Sequence, residues 1–588
     1  DFLYNAMKNK NKAMKIEALV GIVFICVTIL FLFCASVGDA SASTLYVPDN
    51  HLTIQAAVNA ANAGDVVIVR DGTYTENIDV NKHLTILSEN GYVYTIVQAA
   101  NSSDHVFEIT ADYVNIIGFT VMGPTWRDKA GIYLNADYCN ISYNNISNNA
   151  HGILLGNSSN NTLMNNIASN NDISIILVNS SYTMLANNIA SNNSYGIFLA
   201  YSSNNTLTNN TMSRNKYNFH VDGEYLSHYI QNIDTSNKVD GKPIYYWVNQ
   251  KNEQIPNNAG YVGIVNSTDI IVRDLTLQDN SHGVLLVYSS NSKIENVKVL
   301  NNIYGIYLIK SNNNSITNNN ASNNYYGIYL VGSNNNALIN NNASNNWMFG
   351  NGIYLGASSN NVLMNNIASN NEREGIILWN SSKNALMKNN ASNNECGISL
   401  AYSDNNTLKN NIAGNNSMHG IYLGGSHVTG SNNNTLMHNN VSNNNYYGLF
   451  MIGSSYNMLK NNMASNNNYG IGLWDSSNNN IYLNNFINNT DNAYSSNSTN
   501  IWNSTEEITY TYKGNQFTNY TGNYWSDYTG IDVNVDGIGD TQYNKKDNYP
   551  MMEPWENIIK EEEKISGFEG IFAIVGLLAI AYLLRRRK

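Results

Sequence analysis

Three groups of side chains in this sequence have the types and spacing for chemistry. Near the C-terminal end, "DVNVDGIGD" sets Asp532, Asn534, Asp536 and Asp540 around Gly537. Hard oxygens gathered by a sharp turn suit a calcium ion. Tyr543 stands where an EF-hand has its bidentate Glu, so a capping calcium turn and a plain Asx-rich turn are both open. In the second group, the residue just before a recurring glycine is Glu374, then Cys396, then His419 in three successive repeats. Such a trio could hold copper or zinc, or pair Cys with His as a nucleophile; the alternative is three unrelated residues at a drifting corner. The third group is aromatic: Tyr307, Tyr329 and Tyr354, with Tyr133, Phe198, Tyr422 and Phe450, recur at one outward place. Their rings could stack against sugar faces or a protein partner. A methionine column (Met164, Met364, Met387, Met437) offers thioethers to Cu(I), but Lys409 and Lys460 interrupt it. No carboxylate cluster repeats across three neighbouring units, so no catalytic residue is assigned.

The elements that position these groups follow from the repeat. "GIYLGASSNNVLMNNIASNN" at 352–371 recurs in blurred form along most of the chain, with the leading glycines mostly 22 or 23 residues apart. Apolar residues at the second and fourth places of "GIYL" give the period of a strand with one buried face. Shorter strands follow at "VLM" and around "IAS". Three strands per turn with Ser/Asn/Gly corners define an all-β, single-stranded right-handed parallel β-helix with coils of about 22 residues. Coils stack at ~4.8 Å, so asparagines at equivalent positions can form amide ladders, and Asn tolerates the left-handed corner. We expect about 17 coils and a rod of roughly 80 Å.

The boundaries we expect are 1–42 for a leader and signal peptide, 43–130 for an N-terminal cap and first coils, and 131–500 for the repeats, with irregular coils at 218–282. A C-terminal capping module at 501–555 and a tail at 556–588 complete the chain. The cap rests on a helical stripe of Ile54, Ala57, Val58 and Ala61 ended by Gly64. The leader has Lys8, Lys10, Lys12 and Lys15 ahead of an apolar run and then Ala40-Ser41-Ala42, the pattern of export. The tail has a terminal hydrophobic segment suited to a transmembrane or sorting helix, followed by Arg585, Arg586, Arg587 and Lys588. With 13% charged residues and a net charge of −12, the chain offers no basic surface for nucleic acid. Cys139 and Cys396 lie in distant repeats, too far apart to be bridged.

Longer motifs carry a family resemblance. "NKVDGKPIYYWVNQKN", "AGYVGIVNSTDIIVRDLTLQDNSHGVLLVYSSNSKIENV" and "GNYWSDYTGIDVNVDGIGDTQYNKKDNYPM" resemble the NosD-like right-handed β-helix proteins, often labelled periplasmic copper-binding. Ser566-Gly567-Phe568 before the apolar tail resembles the Pro-Gly-Phe of the archaeal sorting signal read by archaeosortases. The resemblance implies surface tethering and, through the family label alone, copper. Three functions stay open: a non-catalytic rod binding envelope glycans or surface proteins, a copper-binding accessory for nitrous oxide reductase maturation, and a polysaccharide lyase or hydrolase.

Overall fold

The computed structural model describes residues 42–426 and 429–558; the leader, the signal segment and the hydrophobic tail lie outside them. The coils form as expected, with three parallel sheets running along a stack of about 20 rungs. The count exceeds the expected 17 because rungs without the leading glycine, such as Phe107–Ile109 and Lys242–Val248, also stack. Each coil contributes one long strand to a broad sheet, for example Tyr326–Val331, and short strands to two narrower ones, for example Thr162–Met164 and Ile167–Ser169. Crossovers between parallel strands of one sheet take the right-handed sense.

The phrase is legible residue by residue. In Tyr326–Val331, Ile328 and Leu330 are fully buried, while Tyr329 between them faces out. The leading glycine is forced by space: a Cβ on Gly352 would meet the Gly375 carbonyl at 2.5 Å and the Ala343 carbonyl at 2.7 Å. Corner asparagines take the left-handed conformation, as Asn360 (φ 58°), Asn365 (φ 55°) and Asn370 (φ 58°) do within one coil. The residue after each of these corners turns inward and ladders. Asn366 donates from its backbone N–H and Nδ2 to Asn389 Oδ1 at 3.0 and 2.9 Å, and Asn389 repeats both bonds to Asn411 at 3.0 Å. Asn361, Asn384 and Asn406 form a second ladder, Asn371, Asn394 and Asn416 a third, and Ser358, Ser381 and Ser403 a fourth. Polar corners are thereby buried without orphaned backbone groups.

The stack is not one uniform column. The broad sheet of the first part has seven strands and ends at Tyr217–Asp222. The helix Leu226–Tyr229 follows, then an antiparallel hairpin pairs Lys238–Val239 with Lys242–Val248. Lys242–Val248 opens a second broad sheet, pairing in parallel with Tyr261–Val265 and through it with His282–Val287. Val262, Ile264, Val284 and Leu286 face the core of the second stack. Tyr246, Tyr261, Val265, Leu285 and Val287, on the opposite face of the same strands, belong to the core of the first. The outer surface of the second broad sheet therefore floors the first stack, in the stretch where the 22-residue beat is lost.

Both ends are closed. Helix Ile54–Ala60 is capped by Thr53, whose Oγ1 accepts the Ala56 N–H, and Glu76 accepts the N–H groups of Ile54 and Gln55. At the other end Trp525 stacks on Phe486 at 4.5 Å and on Tyr543 at 4.3 Å. Asp547 is fully buried there, accepting from the Asn523 N–H (2.7 Å), Trp525 Nε1 (2.9 Å) and the Tyr549 N–H (2.9 Å). Cys139 and Cys396 are free and buried. Among the described residues no helix is long and apolar enough to cross a membrane.

Candidate functional site

Strand pairing places the outward columns. Glu374 pairs with Cys396 and Cys396 with His419, so the three residues singled out by their spacing occupy one register position on successive rungs. Their surroundings are apolar. Burial pushes the Cys396 thiol up to about 12, holds the His419 imidazole down at about 4, and raises Glu374. The His419 ring lies among Phe450 at 4.9 Å, Tyr447 at 5.5 Å and Tyr422 at 6.0 Å. Among the described residues, the group of three His, Cys or carboxylate side chains whose ligand atoms converge within 4.8 Å is a different one, Asp104, His105 and Glu108. Cys396 with His419 is thus a neutral thiol beside a neutral imidazole, which is not an activated nucleophile.

Tyr307, Tyr329 and Tyr354 are likewise in one register column, which continues through Ile377 and Ser399 to Tyr422 and Phe450. Tyr307 packs against the first core, and its ring lies 4.4 Å from that of Tyr304. Tyr329 and Tyr354 stack face to face at 4.2 Å. Beyond Tyr354 lies a platform that the sequence reading passed over. Trp379 pairs with Gly356 on one side and Ala401 on the other, small residues that leave the indole 48% exposed. The Tyr402 ring, 37% exposed, meets it edge-on at 5.4 Å. The fifth place of "GIILWN", set against the glycine and alanine of its neighbours, is the signal that could have found it.

The Asp532 loop closes on itself. Asp532 carboxylate oxygens accept the N–H groups of Asp536 (3.1 Å) and Gly537 (2.8 Å), Asp536 accepts that of Ile538 (2.8 Å), and Asp540 that of Val533 (2.7 Å). This is the hydrogen-bonding pattern of an Asx turn.

The first stack holds a carboxylate pair on two neighbouring rungs, short of the three-rung cluster sought in the sequence. Asp79 pairs with Glu108 on the next rung, and Glu108 with Tyr133 on the one after. Asp104 and His105 stand at the start of the same coil, Lys129 reaches Asp104 at 3.3 Å, and His105 stacks on Tyr133 at 4.5 Å. Burial, then Asp79 and Asp104, raise Glu108, while burial and Lys129 hold His105 down at about 4. An open depression lined by Thr125, Arg127, Asn148 and Asp172 lies on the neighbouring coils. Asp79, Asp104, His105 and Glu108 lie ahead of the regular repeats, and strand register brings Asp79 and Glu108 together.

At the joint, His220 and His282 are buried with rings 5.1 Å apart, and both nitrogens of His220 lack hydrogen bonds. Burial keeps His220 well below its ordinary value.

These features define a class: a right-handed parallel β-helix protein, built for stacking, with aromatic and polar patches on its outer face. The NosD family, described as periplasmic copper-binding protein, matches residues 58–255, 226–373 and 350–530, and the chain belongs to it. The PGF-CTERM motif matches residues 567–587. A cell surface glycoprotein of Methanothermus fervidus is 36% identical over 114 residues, 19% of this chain and 18% of that protein, so the likeness spans less than a fifth of the relative. The protein is exported and held at the cell surface. Among solved structures, the periplasmic alginate epimerase AlgG is 14% identical over 73% of this chain and 84% of its own, with a TM-score of 0.30. Pectate lyase Pel9A is 18% identical over 51% and 77%, with a TM-score of 0.27.

The family's description raises copper, and the donor sets can be tested for it. His220 and His282 overlap as tilted rings (interplanar 31°), which does not aim their in-plane lone pairs at one another. The Glu374, Cys396 and His419 ligand atoms do not converge within 4.8 Å of one another. As arranged, neither set fits a copper ion.

Proposed function

We propose that this protein is a non-catalytic surface rod that binds polysaccharide of the cell envelope through the outer face of its second stack. The observation that carries the reading is the exposed Trp379–Tyr402 pair, in the column next to that of the Tyr329–Tyr354 stack, on a bed of glycine and alanine. Flat, rigid rings that lose little entropy on contact suit the apolar faces of sugars. Tyr307 contributes to the joint instead of the binding face. The test is binding of the full chain to isolated envelope polysaccharide. Replacing Trp379 and Tyr402 together by Ala should weaken binding about tenfold, the loss of one or two ring contacts. Unchanged binding with unchanged melting would refute the platform.

A second reading has one observation in its favour, the in-register Asp79–Glu108 pair. A carboxylic acid held above its usual range beside a second carboxylate can serve as acid and base for glycosidic cleavage. Release of new reducing ends from neutral or acidic polysaccharide, lost in Glu108→Gln, would favour it over the rod.

A further inference from the structure

We propose that the protein carries N-linked oligosaccharide along one edge of the β-helix, at Asn160, Asn204, Asn313, Asn405 and Asn433. Each begins an Asn-Asn-Ser/Thr sequence that wraps a corner. The first asparagine is exposed in the left-handed conformation, with φ between 55° and 59°. The second is buried in a ladder: Asn314 Nδ2, for example, donates to Asn336 Oδ1 at 3.1 Å. The hydroxyl residue then opens the short strand, half exposed, so acceptor amide and hydroxyl both lie outside while the residue between them holds the coil together. Among the described residues, the five corner carboxamides make no side-chain hydrogen bond that modification would break.

Register aligns the sites. Thr162 and Thr206 share one column, two rungs apart, and Ser315, Thr407 and Thr435 share the equivalent column of the second stack. Three other sequons, at Asn320, Asn342 and Asn390, are spent on structure. Ser322 and Ser392 donate to the carboxamide oxygens of Asn320 and Asn390 at 2.6 and 2.7 Å, and Asn342 Oδ1 is buried. Asn320, Asn342 and Asn390 sit half-buried in one bridge column between rungs. The donor would be a polyprenyl-phosphate-linked oligosaccharide. Asn Nδ2 forms the bond to the sugar C1 as the C1–O bond to phosphate breaks; the lipid phosphate leaves with the electron pair, and one amide proton is lost.

The experiment is glycopeptide mass spectrometry on the full chain isolated from its own cell envelope. We expect oligosaccharide on the five corner asparagines and none on Asn320, Asn342 or Asn390. Changing the hydroxyl residue tests each site without disturbing the left-handed corner, as in Thr407→Ala. Alanine already occupies that column at Ala337 and Ala385, so the coil accepts it. Each such change should abolish the glycopeptide at its own site and leave the melting of the unmodified protein unchanged. Bare asparagines at all five corners, or equal occupancy at Asn320, Asn342 and Asn390, would overturn the proposal. The wild-type map decides this even where a variant fails to accumulate.

Discussion

Replacing one ladder asparagine tests the physical account of the repeat. Asn389 lies mid-ladder and its side chain makes four bonds. Nδ2 donates to the Leu363 carbonyl (2.9 Å) and Asn411 Oδ1 (3.0 Å), and Oδ1 accepts the Asn366 N–H (3.0 Å) and Nδ2 (2.9 Å). Asn389→Ala removes all four and leaves the buried Asn366 N–H unpaired. At about 1 kcal/mol for each net bond, the local cost is about 4 kcal/mol. Asn389→Asp keeps the shape but points an oxygen at two acceptors, so its folded pKa must rise; its stability is therefore fullest below pH ~4 and falls as pH rises. The assay is hydrogen exchange of peptides spanning 361–416, because a repeat stack opens locally before it melts globally. For Asn389→Ala, exchange should accelerate about a thousand-fold there and stay unchanged in the first stack. Asn370→Gly, which removes an exposed corner side chain at φ 58°, is the control and should cost under about 0.5 kcal/mol. Equal effects from Asn389→Ala and Asn370→Gly would refute the claim that buried ladders, and not corners, hold the coils.

Three further outcomes are expected. Deleting 366–388, one whole rung from Asn366 to the residue before its ladder partner Asn389, should leave a folded rod, whereas deleting half that length should abolish secretion; circular dichroism and secreted yield read both. Burial pushes Asp547 up to about 6 from an ordinary 3.8, more strongly than its hydrogen bonds lower it. A raised carboxyl stabilises most below about pH 4, so the C-terminal cap should lose on the order of 3 kcal/mol as pH rises past 6; Asp547→Asn should flatten that dependence in cap melting. Burial pushes the Cys139 and Cys396 thiols up to about 11 and 12, so both should resist a thiol-labelling reagent until the protein is unfolded.

Much of the fold was legible because the repeat obeys local rules. Alternation in "GIYL" placed Ile353 and Leu355 inward and Tyr354 outward, and spacing put Glu374, Cys396 and His419 in one column. The sequence could not show whether side chains in one column converge, because that depends on rotamers and burial. The joint escaped because its core takes residues from opposite faces of one sheet, so the alternation of Tyr261 to Val265 reads as apolar throughout. The Asp79–Glu108 pair escaped because their coils lack the phrase that sets register elsewhere, and the Trp379 platform because its meaning lies in the small residues beside it.

The joint also bears on how such a gene can change. Near-identical coding repeats invite unequal recombination, and any exchange that adds or drops whole coils on either side of the joint leaves its ladders in register. The segment from Tyr217 to Ile309 has no such freedom, since Phe219, Tyr246, Tyr261, Leu285 and Ile309 seal one core jointly. Length is therefore open to rapid variation between lineages, while the joint must be inherited as a single indivisible block.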